Sequence, residues 1–208
     1  MPSPFTRRGR FILSLACTTA IAHAAPRAQA QARVYTGSVT ASSERQLAQA
    51  RAYGLAADGC LIVVSVADQK LALLSAQAAP RIYPVSTSKW GTGARQDSQQ
   101  TPLGWHRVAD WIGESARPGQ SFVSREPTDE VLPPELWRST LATDYVLTRI
   151  LWLDGLEPGV NRGGGVDSRS RYIYLHGTNQ EHLLGQPASH GCIRLANRDV
   201  MELFDLTR

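Results

Sequence analysis

The stretch CLIVVSVADQKLALLS, residues 60–75, decides the class of the fold. It holds two β-type runs around Asp68-Gln69-Lys70: the first rich in Ile and Val, the second alternating. That pattern predicts a hairpin. Reading outward, RIYPVSTSK (81–89) is a third run, with Pro84 arguing for an edge or a bulge. WGTGARQDSQQTPLGWHRV (90–108) starts as loop and returns to strand near Trp105. DYVLTRILWLDG predicts a strand over about 144–153, and RYIYLHG (171–177) a short strand ending at a histidine. Residues 111–143 are mixed and loop-rich, with Pro118, Pro127, Pro133 and Pro134, and EPGVNRGGGVDSRS (157–170) is a flexible crossing. Two helices are predicted. SSERQLAQARAYGL carries one over 44–53, with Ser43 as cap, Leu47, Ala50 and Tyr53 on one face, and Gly54 as stop. NRDVMELFDL carries the other, capped by Asn197, with Val200, Leu203 and Phe204 as its apolar face. The chain is therefore mostly β with short helices. A dinucleotide-type α/β sheet is disfavoured, because long helices do not alternate with the strands. Gly163–Gly165 lack the spacing of a phosphate-binding loop.

The 208 residues, 42% hydrophobic and 19% charged, suit one domain with a real core. Residues 1–24 read as an export signal: Arg7, Arg8 and Arg10, then the apolar FILSLACTTAIA, then Ala22-His23-Ala24 as a cleavage site. Arg10 stands where a twin-arginine signal wants an apolar residue, and Ser14 where a lipoprotein signal wants Leu. Residues 25–59 read as a tether over 25–40 followed by the short helix, and 60–208 as the domain proper. The expected location is the periplasm or cell envelope. Three of the four net positive charges lie in the signal, and no basic block remains beyond it. Nucleic acid, which demands a basic stripe with aromatics among it, is not an expected partner.

Removing the signal leaves Cys60 and Cys192. A disulfide between them is one reading in an oxidising compartment; an inert, buried Cys60 is the other. SHGCIRL (189–195) puts Ser189, His190, Gly191, Cys192 and Arg194 together. A nearby imidazolium or guanidinium favours a thiolate, and Gly191 permits a tight turn and close approach of a carbonyl. Either His190, two residues away, or His176, at the end of a rigid strand, could serve as the base. His182 reads as a surface residue. The histidines and Cys192 could in principle ligate zinc, but their spacings match no paired-ligand knuckle. A thiol beside a histidine fits acyl transfer through a thioester better, without metal or organic cofactor.

HGTNQEHLLGQPASHGCIRL (176–195) resembles the signature of the L,D-transpeptidase catalytic domain of the YkuD type: a histidine followed by Gly, then Ser-His-Gly-Cys, a hydrophobic residue and Arg. Upstream, YPVSTSK and Thr101-Pro102-Leu103-Gly104 are similar to a second family segment; Ser88 stands where many members have Gly, and Trp105-His106 replace a lighter pair. The resemblance covers about residues 60–205. It implies a β-sandwich-like fold with short helices and a catalytic cleft. It implies Cys192 as nucleophile, His176 as general base and acid, and the Gly177 carbonyl as the group orienting His176. Ser189, His190, Gly191 and Arg194 would shape the substrate pocket or oxyanion hole, with Arg194 facing the acyl donor. The implied donor is a peptidoglycan tetrapeptide stem attacked at the L-centre of diaminopimelate. The acceptor is a second stem, a lipoprotein lysine, a D-amino acid or, in a hydrolase, water. A non-catalytic wall-binding module is the reading from a different class.

Overall fold

The computed structural model describes residues 32–37 and 43–208. The expected export signal, most of the expected tether and the Ser43 side chain lie outside the described residues. Ten strands form one sheet. In chain order they are β1 (Arg33–Gly37), β2 (Leu61–Ser65), β3 (Lys70–Leu74), β4 (Arg81–Pro84), β5 (Gly104–Ile112), β6 (Gln120–Val123), β7 (Glu126–Val131), β8 (Val146–Gly155), β9 (Tyr174–Gly177) and β10 (Ile193–Leu195). Two α-helices, α1 (Ser43–Ala52) and α2 (Asn197–Thr207), and three single-turn 3₁₀ segments complete the described chain.

The main path of the sheet runs β10-β9-β8-β5-β1-β2-β3-β4, with β6 and β7 branching from β8 as a ribbon. Its two ends meet. Ser86, just past β4, donates its N–H to the Arg194 carbonyl at 3.0 Å and accepts the Arg194 N–H at 2.9 Å. The expected mostly β, sandwich-like class is thus realised as one sheet curled until its edges touch. Alternation sends Val34, Ile62, Val64, Leu71, Leu151, Leu153, Leu175, Ile193 and Leu195 into a single core. There they pack with Val200, Leu203 and Phe204 of α2, the apolar face expected from sequence. Each such side chain stabilises the fold by about 1.5–3 kcal/mol relative to exposure.

On the outside, Ala50 of α1 and Leu55 pack on Leu61, Val63, Leu74 and Trp105, with Leu47 and Tyr53 beside them. The strand β2 is therefore buried on both faces, which is why it reads as an unbroken apolar run. Gly54, at φ 80°, ends the helix as expected.

Three sequence expectations need correction. Residues 33–37, assigned to the tether, are a strand at the middle of the sheet, parallel to β2 and antiparallel to β5. Five residues among small polar ones carry too little pattern to announce a strand; neighbours on both sides supply its hydrogen bonds. The crossing at 157–170 is pinned rather than loose. Buried Asn161 donates to the Leu103 and Trp105 carbonyls, and buried Ser168 meets the His106 ring at 2.9 Å. Asn197 does not cap α2 with its side chain. Its amide instead joins Thr148, Thr178 and Glu181 beneath β9.

Candidate active site

The strands β9 and β10 lie side by side and parallel, with His176 opposite Arg194. Leu175, Ile193 and Leu195 point into the core. By the two-residue period, Tyr174, His176 and Arg194 point to the opposite face. Cys192 has the parity of Arg194, and its Sγ accepts the Tyr174 N–H at 3.4 Å. The thiol and His176 are thereby carried on one face of adjacent strands, beside Ile150, Phe122 and Tyr174.

His176 is 3% exposed. Its Nδ1 lies 2.8 Å from the Gly177 carbonyl oxygen. A carbonyl can only accept, so Nδ1 carries the proton and Nε2 keeps the lone pair. Burial pushes the ring below its ordinary pKa, opposed by the Asp144 carboxylate and the Gly177 carbonyl and assisted by Arg194. Burial thus favours the neutral imidazole, whose Nε2 has no hydrogen-bond partner among the described residues. Burial also pushes the Cys192 thiol up, to about 11; the Tyr174 amide, Arg194 and Arg171 act downward, and Asp144 upward. The S–H points at the Tyr172 carbonyl, 3.4 Å away. Cys192 is therefore a thiol at rest and needs a proton acceptor to become a nucleophile. Both Cys60 and Cys192 are free, so the disulfide reading does not hold. Cys60 lies against the core with its Sγ 3.4 Å from the Leu206 carbonyl, and burial raises its pKa.

The turn before the thiol is tied down from several sides. The Ser189 hydroxyl donates to the Cys192 carbonyl at 2.6 Å and accepts the Gly191 N–H at 3.2 Å. Gly191 has φ 125°, a conformation that L side chains resist. Thr101 donates to the Gly191 carbonyl and accepts the Ser88 N–H, both at 3.0 Å. Below His176, a Cβ on Gly177 would come within 2.4 Å of Asn197 Oδ1 and 2.8 Å of the Leu147 carbonyl oxygen. Glycine is required there for close approach.

Arg194 and His190 are placed by Asp144. The Arg194 side chain, 1% exposed, donates to Asp144 and, at 2.9 Å, to Gln180. Its guanidinium is thus held by two side chains of the protein. His190, exposed on its turn, meets the same Asp144 carboxylate through Nδ1 at 3.2 Å. His182 is half-buried, and its Nδ1 has no hydrogen-bond partner. Among the described residues no group of three or more His, Cys, Asp and Glu side chains is arranged to hold a metal ion.

A model of the L,D-transpeptidase catalytic domain, YkuD, matches residues 60–208. The chain belongs to this family. Among solved structures it is similar to the LD transpeptidase LdtMt1 in complex with imipenem, at 18% identity and a TM-score of 0.38, over 71% of this chain and 54% of that one. It is likewise similar to an L,D-transpeptidase from Mycobacterium smegmatis, at 18% identity and a TM-score of 0.36, over 70% of this chain and 53% of that one. The chain thus aligns with about half the length of those proteins. No curated protein matches it. No described helix is long and apolar enough to cross a membrane.

Within this L,D-transpeptidase domain, several residues around the thiol escaped sequence reasoning. Asp144, two residues before β8, reaches Arg194 and His190 from 50 and 46 residues away; no local signal marks it. Tyr174, read only as strand, supplies the amide at the sulfur. Thr101 stood inside the quoted Thr-Pro-Leu-Gly segment, and that segment was its signal. Its hydroxyl braces the turn before Cys192.

Proposed function

We propose that the protein is a peptidoglycan L,D-transpeptidase working through a Cys192 thioester. The observation that carries this reading is the His176 tautomer. Its Nδ1–H is committed to the Gly177 carbonyl, so Nε2 is the basic nitrogen on the strand beside Cys192. Nε2 takes the thiol proton, and the sulfur adds to the L-centre carbonyl of diaminopimelate in a tetrapeptide stem. The Ser189 and Gly191 N–H groups already have acceptors. The Cys192 amide, which has none among the described residues, is the donor we assign to the oxyanion. The C–N bond to the terminal D-alanine breaks, and His176 returns the proton to the leaving amine. An acceptor amine then attacks the thioester. The new C–N bond forms as C–S breaks, and the proton passes back to sulfur by way of His176. Acceptors of this chemistry are a second stem, giving a 3→3 crosslink, a lipoprotein lysine, or a D-amino acid. The expected location, from residues 1–24, is the periplasm or cell envelope.

Incubating the mature protein with disaccharide-tetrapeptide tests the reading. The expected product is an adduct lighter than the sum of the two by one D-alanine, absent in Cys192→Ala. His176→Ala is expected to acylate about 10²–10⁴-fold more slowly, and His190→Ala less than tenfold more slowly. A folded wild-type protein that gives neither adduct nor exchanged product sinks the proposal. Adding a second tetrapeptide, a lysine-ended peptide or a D-amino acid then identifies the acceptor.

A further inference from the structure

We propose that Arg125 is a carboxylate-binding residue of the acyl-donor groove; this rests on the reading of Cys192 as the acyl carrier. Arg125 sits at the tip of the β6–β7 ribbon, which β6 anchors to β8 through Ser121 opposite Leu147 and Phe122 opposite Val146. Ser124 and Arg125 form its two-residue turn, with φ 51° and 73°. Such a turn favours Asn-Gly, because both positions need positive φ. An arginine there opposes the local preference. The turn geometry therefore does not explain the residue.

The surroundings of the guanidinium do. Its carbon lies 4.7 Å from the Trp152 ring centroid and 5.0 Å from that of Tyr172. It donates to the Tyr174 hydroxyl at 3.3 Å. Tyr174 is the residue whose backbone N–H reaches the Cys192 sulfur, so Arg125 stands one tyrosine side chain from the nucleophile. Three other arginines surround this region, and each is occupied. Arg194 is held by Asp144 and Gln180. Arg171 donates to the Gly93 and Gln100 carbonyls and to Ser98. Arg169, stacked on the same Trp152, is paired with Asp110 at 2.7 Å. Arg125 has no carboxylate within ion-pair distance among the described residues and is held by ring faces and a phenol. Such contacts position a guanidinium and leave its remaining N–H groups for an incoming anion. A tetrapeptide stem carries carboxylates on both sides of the attacked carbonyl: that of the terminal D-alanine, and the second carboxyl of diaminopimelate. A bidentate guanidinium–carboxylate pair at the tip of the ribbon would fix the stem's register over the thiol.

Binding without turnover tests this. Cys192→Ala protein, with and without Arg125→Gln or Arg125→Lys, is titrated by calorimetry with disaccharide-tetrapeptide. The same donor is then used with its terminal carboxyl or its diaminopimelate carboxyl amidated. Arg125→Gln is expected to weaken the free-acid donor about tenfold or more, and Arg125→Lys to recover part of the loss. One of the two amides is expected to bind equally with and without the guanidinium, which identifies the carboxylate. Three outcomes overturn the subsite: unchanged affinity in Arg125→Gln, the same loss on every donor, or no donor binding at all. If donors bind in an Arg125-dependent way while wild-type protein forms no acyl adduct, the subsite stands and the transpeptidase reading falls.

Discussion

At the residue scale, the site depends on two groups that burial holds neutral. His176 is pushed down and the Cys192 thiol up, to about 11. In the proposed mechanism donor acylation needs neutral His176, so kcat/KM is expected to hold level from about pH 7 to 9. It should fall on the acid side with a midpoint below the ordinary histidine value of about 6.5. Asp144 raises His176 and raises Cys192 through its charge. Asp144→Asn should therefore move the acid limb lower still and speed alkylation of Cys192 by iodoacetamide at fixed pH. An acid limb above pH 7 in wild type would contradict this account. His106 is fully buried between the Gly104 carbonyl and Ser168, and burial lowers its pKa to about 4. Between about 4 and 6.5 the unfolded chain binds more protons at this position than the folded one. The stability it contributes is complete above pH 6.5 and is lost as pH falls to 4, up to about 3 kcal/mol. Urea midpoints measured from pH 7 to 4 should therefore drop, and His106→Gln should reduce the slope. Some slope will persist, because His176 contributes with the same sign.

At the element scale, β9 and β10 work as a pair whose spacing is set from below. Gly177 lets Asn197 and the Leu147 carbonyl close under His176. Gly177→Ala is expected to cost about 1–3 kcal/mol, by overpacking. Acylation should fall further than the stability loss explains, because the carbonyl that fixes the His176 tautomer shifts with it. Chemical denaturation beside acylation rates on the folded fraction checks this, and a fully active Gly177→Ala would refute it. β9 was legible in sequence as a short strand ending at His176, because its apolar residues run consecutively; β10, only three residues long, was not, and its pairing with β9 is what brings two segments sixteen residues apart together. The hairpin of β2 and β3 and the apolar face of α2 were legible for the same reason, a strong period over consecutive residues. Residues joined only by the fold were not. Asn197 looked like a cap because Asn before an apolar run usually is one, and tertiary partners drew its amide elsewhere. The Arg194–Asp144 pair was not legible, because nothing nearby in sequence revealed the carboxylate at position 144. The ribbon of β6 and β7 was hidden in a proline-rich stretch: β6 is only four residues long, and β7 is mostly exposed and carries little alternation.

At the scale of the whole molecule, the sheet is one curled path, and a strand in its middle is bonded on both sides. The sheet's ends join where Ser86 meets Arg194, so the backbone beside Cys192 is also the seam of the fold. Opposite that seam lies β1, between β2 and β5. The boundary read from sequence at residue 60, which is also where the family match begins, falls between β1 and β2. A chain of residues 60–208 would leave facing edges of β2 and β5 unpaired and would uncover the core where Val34 is now fully buried. Both are costly: unsatisfied backbone groups where no water replaces the partner, and a cavity in the middle of the core. Arg33 adds to the loss, because its guanidinium donates to the Tyr53 and Gly54 carbonyls and so ties α1 to the same strand. Residues 32–208 are therefore expected to unfold cooperatively in urea and to acylate at Cys192. Residues 60–208 should lack a cooperative transition or lose most of the stability. If the shorter chain unfolds with the same midpoint and slope as the longer one, then β1 is an attachment to a finished sheet, and closure must be carried by β2 and β5 alone.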